Sequence, residues 1–418
     1  MIDMRRLSAI IGAIISVWAL LHQELALAET QDQEPSDWPT VIAQLQQQMY
    51  QRPGVAHIRE QLATACNNYG VQLGEQRRWE QAIEQLERAR TLEPSNEQFK
   101  TNLSAVYLNQ AGNAYAAHQP QAAIDLIEKT LQVKPTARAY DLLGQIEYDR
   151  QRLKEAKAAW QQAAELDPSL PGLAQHLARV TEELPIESKF GRMSQAYFDL
   201  RSEEHLNMPA DFDLRDALLE ARREVGKDFA YWPKHKIVVL LYSAESFHKL
   251  RQDTPEWVGG QFDGKIRVPL PSAQMSSALV KQILFHEYTH AVIADLTEGK
   301  CPRWLNEGLA EHEGRTQLAK TSTFLKTAYN AQQLIPLAEL SDHFSSMRSA
   351  NEAALAYDQS YSLVAHLLEH AGFWRMRQLL KALAEGRPWE NALESAYHLE
   401  TKKLEKNWRG WLPGFLSS

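Results

Sequence analysis

The chain is short of the residues that mark several common protein classes. It has two cysteines, Cys66 and Cys301, in 418 residues. That count excludes a disulfide-built scaffold. The two cysteines fall in different predicted domains, so a pair of free, buried thiols is expected. There is no basic block: 45 Lys and Arg against 53 Asp and Glu leave a spread net charge of −8. An electrostatic nucleic-acid surface is therefore excluded. No Gly-rich loop of the Walker type is present, which removes the phosphate-cradling nucleotide sites. What remains, 44% hydrophobic and 23% charged residues, is the balance of a folded globular protein. The length suits two or three domains.

The N-terminus reads as a targeting segment rather than as fold. Arg5 and Arg6 precede an apolar run, Leu7 to Leu21, and Ala26-Leu27-Ala28 forms an A-x-A cleavage pattern. Residues 1–28 are expected to be a secretory signal peptide, cut before Glu29. The run is short of the roughly twenty residues a membrane helix needs. The alternative is an uncleaved membrane anchor. Either way the bulk of the chain is expected outside the cytoplasm, in the periplasm or the extracellular space. Residues 29–58 read as a linker and a first helix.

Residues 59–184 are helical in pattern and repetitive. Aligning Trp79–Pro94, Pro120–Pro135 and Leu153–Pro168 places Ala82, Ala123 and Ala156 at one position. Leu86, Ile127 and Trp160 share the next apolar site, and Ala89, Thr130 and Ala163 share a small-residue site. Twelve residues before each leading alanine stand Gly70, Ala111 and Gly144, small enough for close helix crossing. Leu92, Val133 and Leu166 precede Pro94, Pro135 and Pro168, and those prolines stop the helices. The pattern resembles the tetratricopeptide repeat, a helical hairpin of about 34 residues. The second repeat is longer, with the excess assigned to a loop or helix around Glu97–Asn102. Leu170 to Glu183 reads as a capping helix. The resemblance implies either a groove for a protein or peptide partner, or a rigid spacer.

From about Phe190 the pattern changes, and residues 190–418 are read as a second, α+β domain. Lys236 to Tyr242 is a β-branched run expected to form a buried strand. Ser243 can cap a short helix, Glu245–Leu250. Trp257 to Pro269 reads as a hairpin with Asp263-Gly264 in its turn. After Glu311 the spacing is helical again in Ser360–Glu369, Phe373–Glu385 and Pro388–Trp411, with Gly372 and Gly386 as stops. Trp408, Trp411 and Phe415 are expected to close the core.

The most specific stretch is His286-Glu287-Tyr288-Thr289-His290, which continues the apolar run Ala278 to Phe285. That context predicts a mostly buried helix. Residues four apart share a helix face, so both imidazoles can reach one metal ion. Glu287 between them is placed as a base beside an activated water. Zinc in a hydrolytic site takes three protein ligands. Glu307 follows His290 after sixteen intervening residues, within Trp304-Leu305-Asn306-Glu307-Gly308-Leu309-Ala310-Glu311. Cys301 and Pro302 mark a loop, so a second helix turning back brings Glu307 to the histidine pair. Glu311, one turn further, can orient the free nitrogen of a ligand histidine. His312 reads as a solvated or capping residue rather than a ligand.

HEYTH followed by WLNEGLAE resembles the gluzincin metallopeptidases, the thermolysin and aminopeptidase N superfamily. It is most similar to the peptidase MA-like domains that often follow tetratricopeptide repeats. The resemblance implies an all-α solenoid followed by an α+β zincin-like domain. It implies Zn2+ on His286, His290 and Glu307, with Glu287 as general base. Asn306 and Glu311 then stand behind the ligands. Tyr357-Asp358-Gln359-Ser360-Tyr361 resembles a Tyr-x-x-Gly/Ser helix start whose tyrosine donates to the oxyanion. Tyr357 takes that role by position, with Tyr361 the competing assignment. In the family a sheet edge strand lies along the cleft, where a substrate peptide can add. The hairpin matches that place; the alternative is an ordinary structural hairpin.

The expected function is that of an exported zinc metallopeptidase acting on peptide or protein substrates, with the repeats binding substrate or partner. The alternative is a repeat scaffold whose metal domain cuts little. No Gly-x-Met-Glu-Asn segment is present, Gly259-Gly260-Gln261 standing nearest its place. This weakens the aminopeptidase variant.

Overall fold

The computed structural model describes residues 37–204, 206, 212–250, 261–270, 276–318, 322–347 and 349–417. The signal-peptide expectation, and Trp257 to Gly260 of the hairpin, lie outside the described residues. Among the described residues, no helix is long and apolar enough to cross a membrane. The chain divides into two compact units, one ending at Pro185 and the next starting at Ile186.

The described residues of the first unit form helices and no strands. Helix α1 spans Trp38–Gln51. Three hairpins follow: α2 (Ala56–Glu75) with α3 (Trp79–Leu92), α4 (Glu97–Ala116) with α5 (Pro120–Val133), and α6 (Ala137–Asp149) with α7 (Leu153–Leu166). Helix α8 spans Leu173–Glu187. The aligned residues explain the hairpins. Ala82, Ala123 and Ala156 are fully buried, as are Leu86, Ile127 and, at 1% exposure, Trp160. Small residues face the large ones. A Cβ on Gly70 would meet Leu86 Cγ at 2.6 Å, and one on Gly144 would meet Trp160 Nε1 at 2.5 Å. Each hairpin turns through one non-glycine residue in the left-handed region: Arg77 (φ 59), His118 (φ 56) and Gln151 (φ 57). The next amide in each case reaches back to the helix, as in Arg78 N to Leu73 O at 2.9 Å and Arg152 N to Glu147 O at 2.8 Å. This Schellman-type closure at repeat spacing ends each first helix. The excess length of the second repeat is helix rather than loop, since α4 has 20 residues and α6 has 13. Burial is divided among several small clusters along the unit, as expected where each repeat packs on its neighbours.

The second unit has one large core and a smaller cluster of Val238, Leu240, Tyr242, Phe247 and Leu250. It opens with β1 (Gly191–Ser194) and β2 (Phe198–Ser202), then α9 (Leu214–Phe229), β3 (Ile237–Ser243) and α10 (Ala244–Leu250). The hairpin β4 (Gln261–Phe262) and β5 (Ile266–Leu270) follows. Gly264 in its turn has φ 94, a conformation that favours glycine. The sheet order is β1-β2-β3-β5-β4, with the β2–β3 and β3–β5 pairs parallel and both outer pairs antiparallel. Residues Ile237 to Tyr242 of β3 are all buried, as a strand inside a covered sheet requires. The central helices are α11 (Ser277–Thr297) and α12 (Arg303–Arg315). Then come α13 (Thr323–Asn330), α14 (Leu337–Ser346), α15 (Ala350–Ala384), α16 (Trp389–Tyr397) and α17 (Thr401–Phe415).

The expected architecture, a helical repeat region and then an α+β domain, is the one found. Two local readings change and one holds. Pro388–Trp411 is not one helix: His398 adopts φ 56 and separates α16 from α17. Tyr357 does not stand at a helix start, because α15 begins at Ala350 with Ser349 as its cap. Gly372 (φ 61) does interrupt α15, as its sequence position suggests. Trp408 is fully buried and its Nε1 donates to Ser362 Oγ at 3.0 Å. Trp411 and Phe415 stack on each other at the core margin, with ring centroids 4.7 Å apart.

Candidate active site

Two helices and the turn between them build the site. Ser276 caps α11, its Oγ accepting from Leu279 N at 3.3 Å. The helix ends where Glu298 (φ 51) and Gly299 (φ 72) turn left-handed. Pro302 then stands at the N-cap of α12, where a missing amide proton costs nothing. The two helices run back on each other. A Cβ on Gly314, near the end of α12, would lie 3.5 Å from His286 Cβ, while Asn306 near its start meets His290.

This hairpin brings three donor atoms together. His286 Nε2 and His290 Nε2 are 3.1 Å apart. Glu307 Oε2 lies 3.7 Å from the first and 3.4 Å from the second. His286, His290 and Glu307 thus form a group that could hold a metal ion. The fit is good in size. A point equidistant from corners with those separations lies about 2 Å from each, the length of zinc–nitrogen and zinc–oxygen bonds. It is also good in chemistry. Glu307 Oε2 is buried and has no hydrogen-bond partner, an arrangement that costs free energy unless a cation completes it.

The surrounding side chains fix these groups. Asn306 Oδ1 accepts from His290 Nδ1 at 3.0 Å, which fixes the ring with Nε2 toward the group. Glu311 Oε1 lies 3.4 Å from His286 Nδ1. The other oxygen of Glu307, Oε1, faces Arg303 Nε at 3.6 Å. Burial disfavours an imidazolium at His290, but Glu307 outweighs it and holds the pKa up at about 9. Burial also pushes the Glu307 carboxyl up, yet His290 and His286 beside it hold it well below the usual carboxylate range.

Glu287 borders the triangle and is not one of its corners. It is 4% exposed, and its Oε2 has no hydrogen-bond partner. Burial raises its carboxyl above the ordinary value, against the pull of His286 and His290. Tyr357 lies nearby, its ring centroid 6.4 Å from that of His286. Burial, reinforced by Glu307, keeps its phenol protonated well above the usual range. Tyr361 turns elsewhere: its ring lies 4.1 Å beneath the Arg315 guanidinium and 5.8 Å from Phe415.

His312 differs from its expectation. It is neither solvated nor a helix cap, but packs between Tyr361 and Phe373 at ring distances of 6.3 and 5.8 Å. Burial in that apolar setting lowers its pKa. Cys66 is buried and Cys301 partly so, both as free thiols. Arg315 pairs with both Glu311 and Asp358, a contact that no local spacing in the sequence singles out.

The glycine of the Asn-Glu-Gly run has a packing reason. A Cβ on Gly308 would come 2.4 Å from the Ser360 carbonyl oxygen of α15, a backbone atom that cannot swing aside. Gly308→Ala should therefore force α12 off α15 and cost about 1–3 kcal/mol. Thermal unfolding of the full chain measures it. An unchanged melting temperature would mean the two helices separate freely.

The sequence model of the Peptidase MA superfamily matches residues 233–414, and that of the tetratricopeptide repeat matches residues 137–170. No curated protein matches the chain. The first match contains the whole hairpin α11–α12 and Tyr357; the second covers the third repeat hairpin. The chain therefore carries a Peptidase MA superfamily domain with a tetratricopeptide repeat before it.

Proposed function

We propose that the second unit is a zinc metallopeptidase hydrolysing peptide bonds in an exported protein. One observation carries the reading: the convergence of His286 Nε2, His290 Nε2 and Glu307 Oε2, with the Glu287 carboxyl buried alongside. Zinc held by these three residues would polarise the scissile carbonyl and lower the pKa of a water molecule. Glu287 takes the proton from the attacking water and passes it to the leaving amine. Tyr357 keeps its proton and donates to the carbonyl oxygen as negative charge develops there. Asn306 and Glu311 hold the two imidazoles in the orientation the chemistry needs.

Strand β4 is last in the sheet order among the described residues, so its outer edge is the place where an extended substrate can pair. The repeats supply a surface of the kind that binds a peptide or protein partner. Arg5, Arg6, the apolar run and Ala26-Leu27-Ala28 support export to the periplasm or beyond.

Metal analysis of the full chain together with digestion of a peptide library tests the proposal. The expected result is one bound zinc and cleavage that a chelator abolishes and added zinc restores. Zinc without cleavage of any peptide or unfolded protein would put the repeat-scaffold reading in its place.

A further inference from the structure

Arg315 stands one turn beyond Glu311 on α12, and its side chain is only 5% exposed. A guanidinium is expensive to bury, and an aliphatic side chain would fill the space at lower cost. Its contacts show what the charge is for. Nε donates to Glu311 Oε2 at 2.8 Å, and Nη2 donates to Asp358 Oδ1 at 2.5 Å. The guanidinium plane rests over the Tyr361 ring at 4.1 Å. Glu311 and Asp358 are themselves 5% exposed each.

The oxygens of Glu311 are therefore divided. Oε2 is taken by Arg315, which aims Oε1 at His286 Nδ1, 3.4 Å away. A carboxylate held at one oxygen still rotates; held at both, it fixes the imidazole ring that it faces. Asp358 lies on α15, directly after Tyr357. One rigid fork thus spans the helix that carries Glu307 and the helix that carries Tyr357.

We propose that Arg315 is a positioning residue for the metal centre: with Asp358 it locks Glu311 onto His286 and sets α15, and so Tyr357, against α12. This rests on the metal-site reading given above. The planar fork is essential to it. A lysine keeps the charge but is a single point donor that cannot hold two carboxylates at fixed angles.

The test uses the full chain and measures Zn2+ affinity by competition with a chromophoric chelator. The visible spectrum of the Co2+-loaded protein reports the geometry of the site independently of turnover. Arg315→Lys and Asp358→Asn should each weaken zinc by about 10–100-fold and alter the cobalt bands, with far-ultraviolet circular dichroism unchanged. In a Glu311→Gln background, Arg315→Lys should weaken zinc no further, because its effect passes through Glu311. If Arg315→Lys does not fold, Asp358→Asn decides alone. A parent that binds zinc, with variants of equal affinity and equal cobalt spectrum, overturns this inference and leaves the metal site standing. Losses that multiply in the double variant overturn it too. A parent that binds no zinc overturns the metal-site reading itself, and this inference with it.

Discussion

Glu287→Gln is expected to keep its zinc and to lose turnover by about 10²–10⁴-fold, the usual worth of a positioned general base. The amide has the shape of the acid but cannot accept the proton. No corner of the donor triangle is touched, since those corners are His286, His290 and Glu307. Stability should not suffer either. Burial raises the Glu287 carboxyl above its unfolded value, so the stability tied to its protonated form is present at low pH and lost as pH rises through the folded pKa. At neutral pH and without metal, a neutral amide at this buried position should melt no lower than the parent. Metal content, peptide turnover and a melting curve on one preparation read all three points. A variant as active as the parent would remove Glu287 from the mechanism.

The donors were legible because their spacing is a property of the helix itself. His286 and His290 share a face by the four-residue rule, and the Cys301-Pro302 break announces the turn that returns Glu307. The repeats were legible for a similar reason. Ala82, Ala123 and Ala156 recur because close helix crossing tolerates only a small residue, and all three are fully buried. What escaped depends on contacts between distant segments. Arg315 and Asp358 are 43 positions apart, and no local pattern pairs them. His312, directly after Glu311, reads as solvated or capping, but Tyr361 and Phe373 pack against its ring. The break at His398 has no glycine or proline to mark it. The start of α15 was missed because Ser349 and Ala350 precede an alanine-rich stretch with weak periodicity. Strands β1 and β2 were missed as well. All four residues of β1 are exposed, so its sequence carries no buried face to read.

Glu307→Ala should have the largest effect on metal. Two imidazoles alone hold zinc weakly and leave its geometry open, whereas the carboxylate completes a three-donor site and offsets part of the charge. Glu307 Oε2 supplies two of the three short separations, 3.7 Å to His286 and 3.4 Å to His290, so its removal leaves a line in place of a triangle. With zinc about 1,000-fold above its dissociation constant, the parent gains about 4 kcal/mol from binding. For a unit of this size that is a rise on the order of 10 °C in melting temperature. Chelation should lower the parent by that amount and leave Glu307→Ala unmoved. The repeats have their own clusters, packed hairpin on hairpin through Leu86, Ile127 and Trp160. Hydrogen exchange over residues 56–166 should therefore match between parent and variant. Full zinc retention by Glu307→Ala would show that the carboxylate is no ligand, and the hydrolase reading would fall with it.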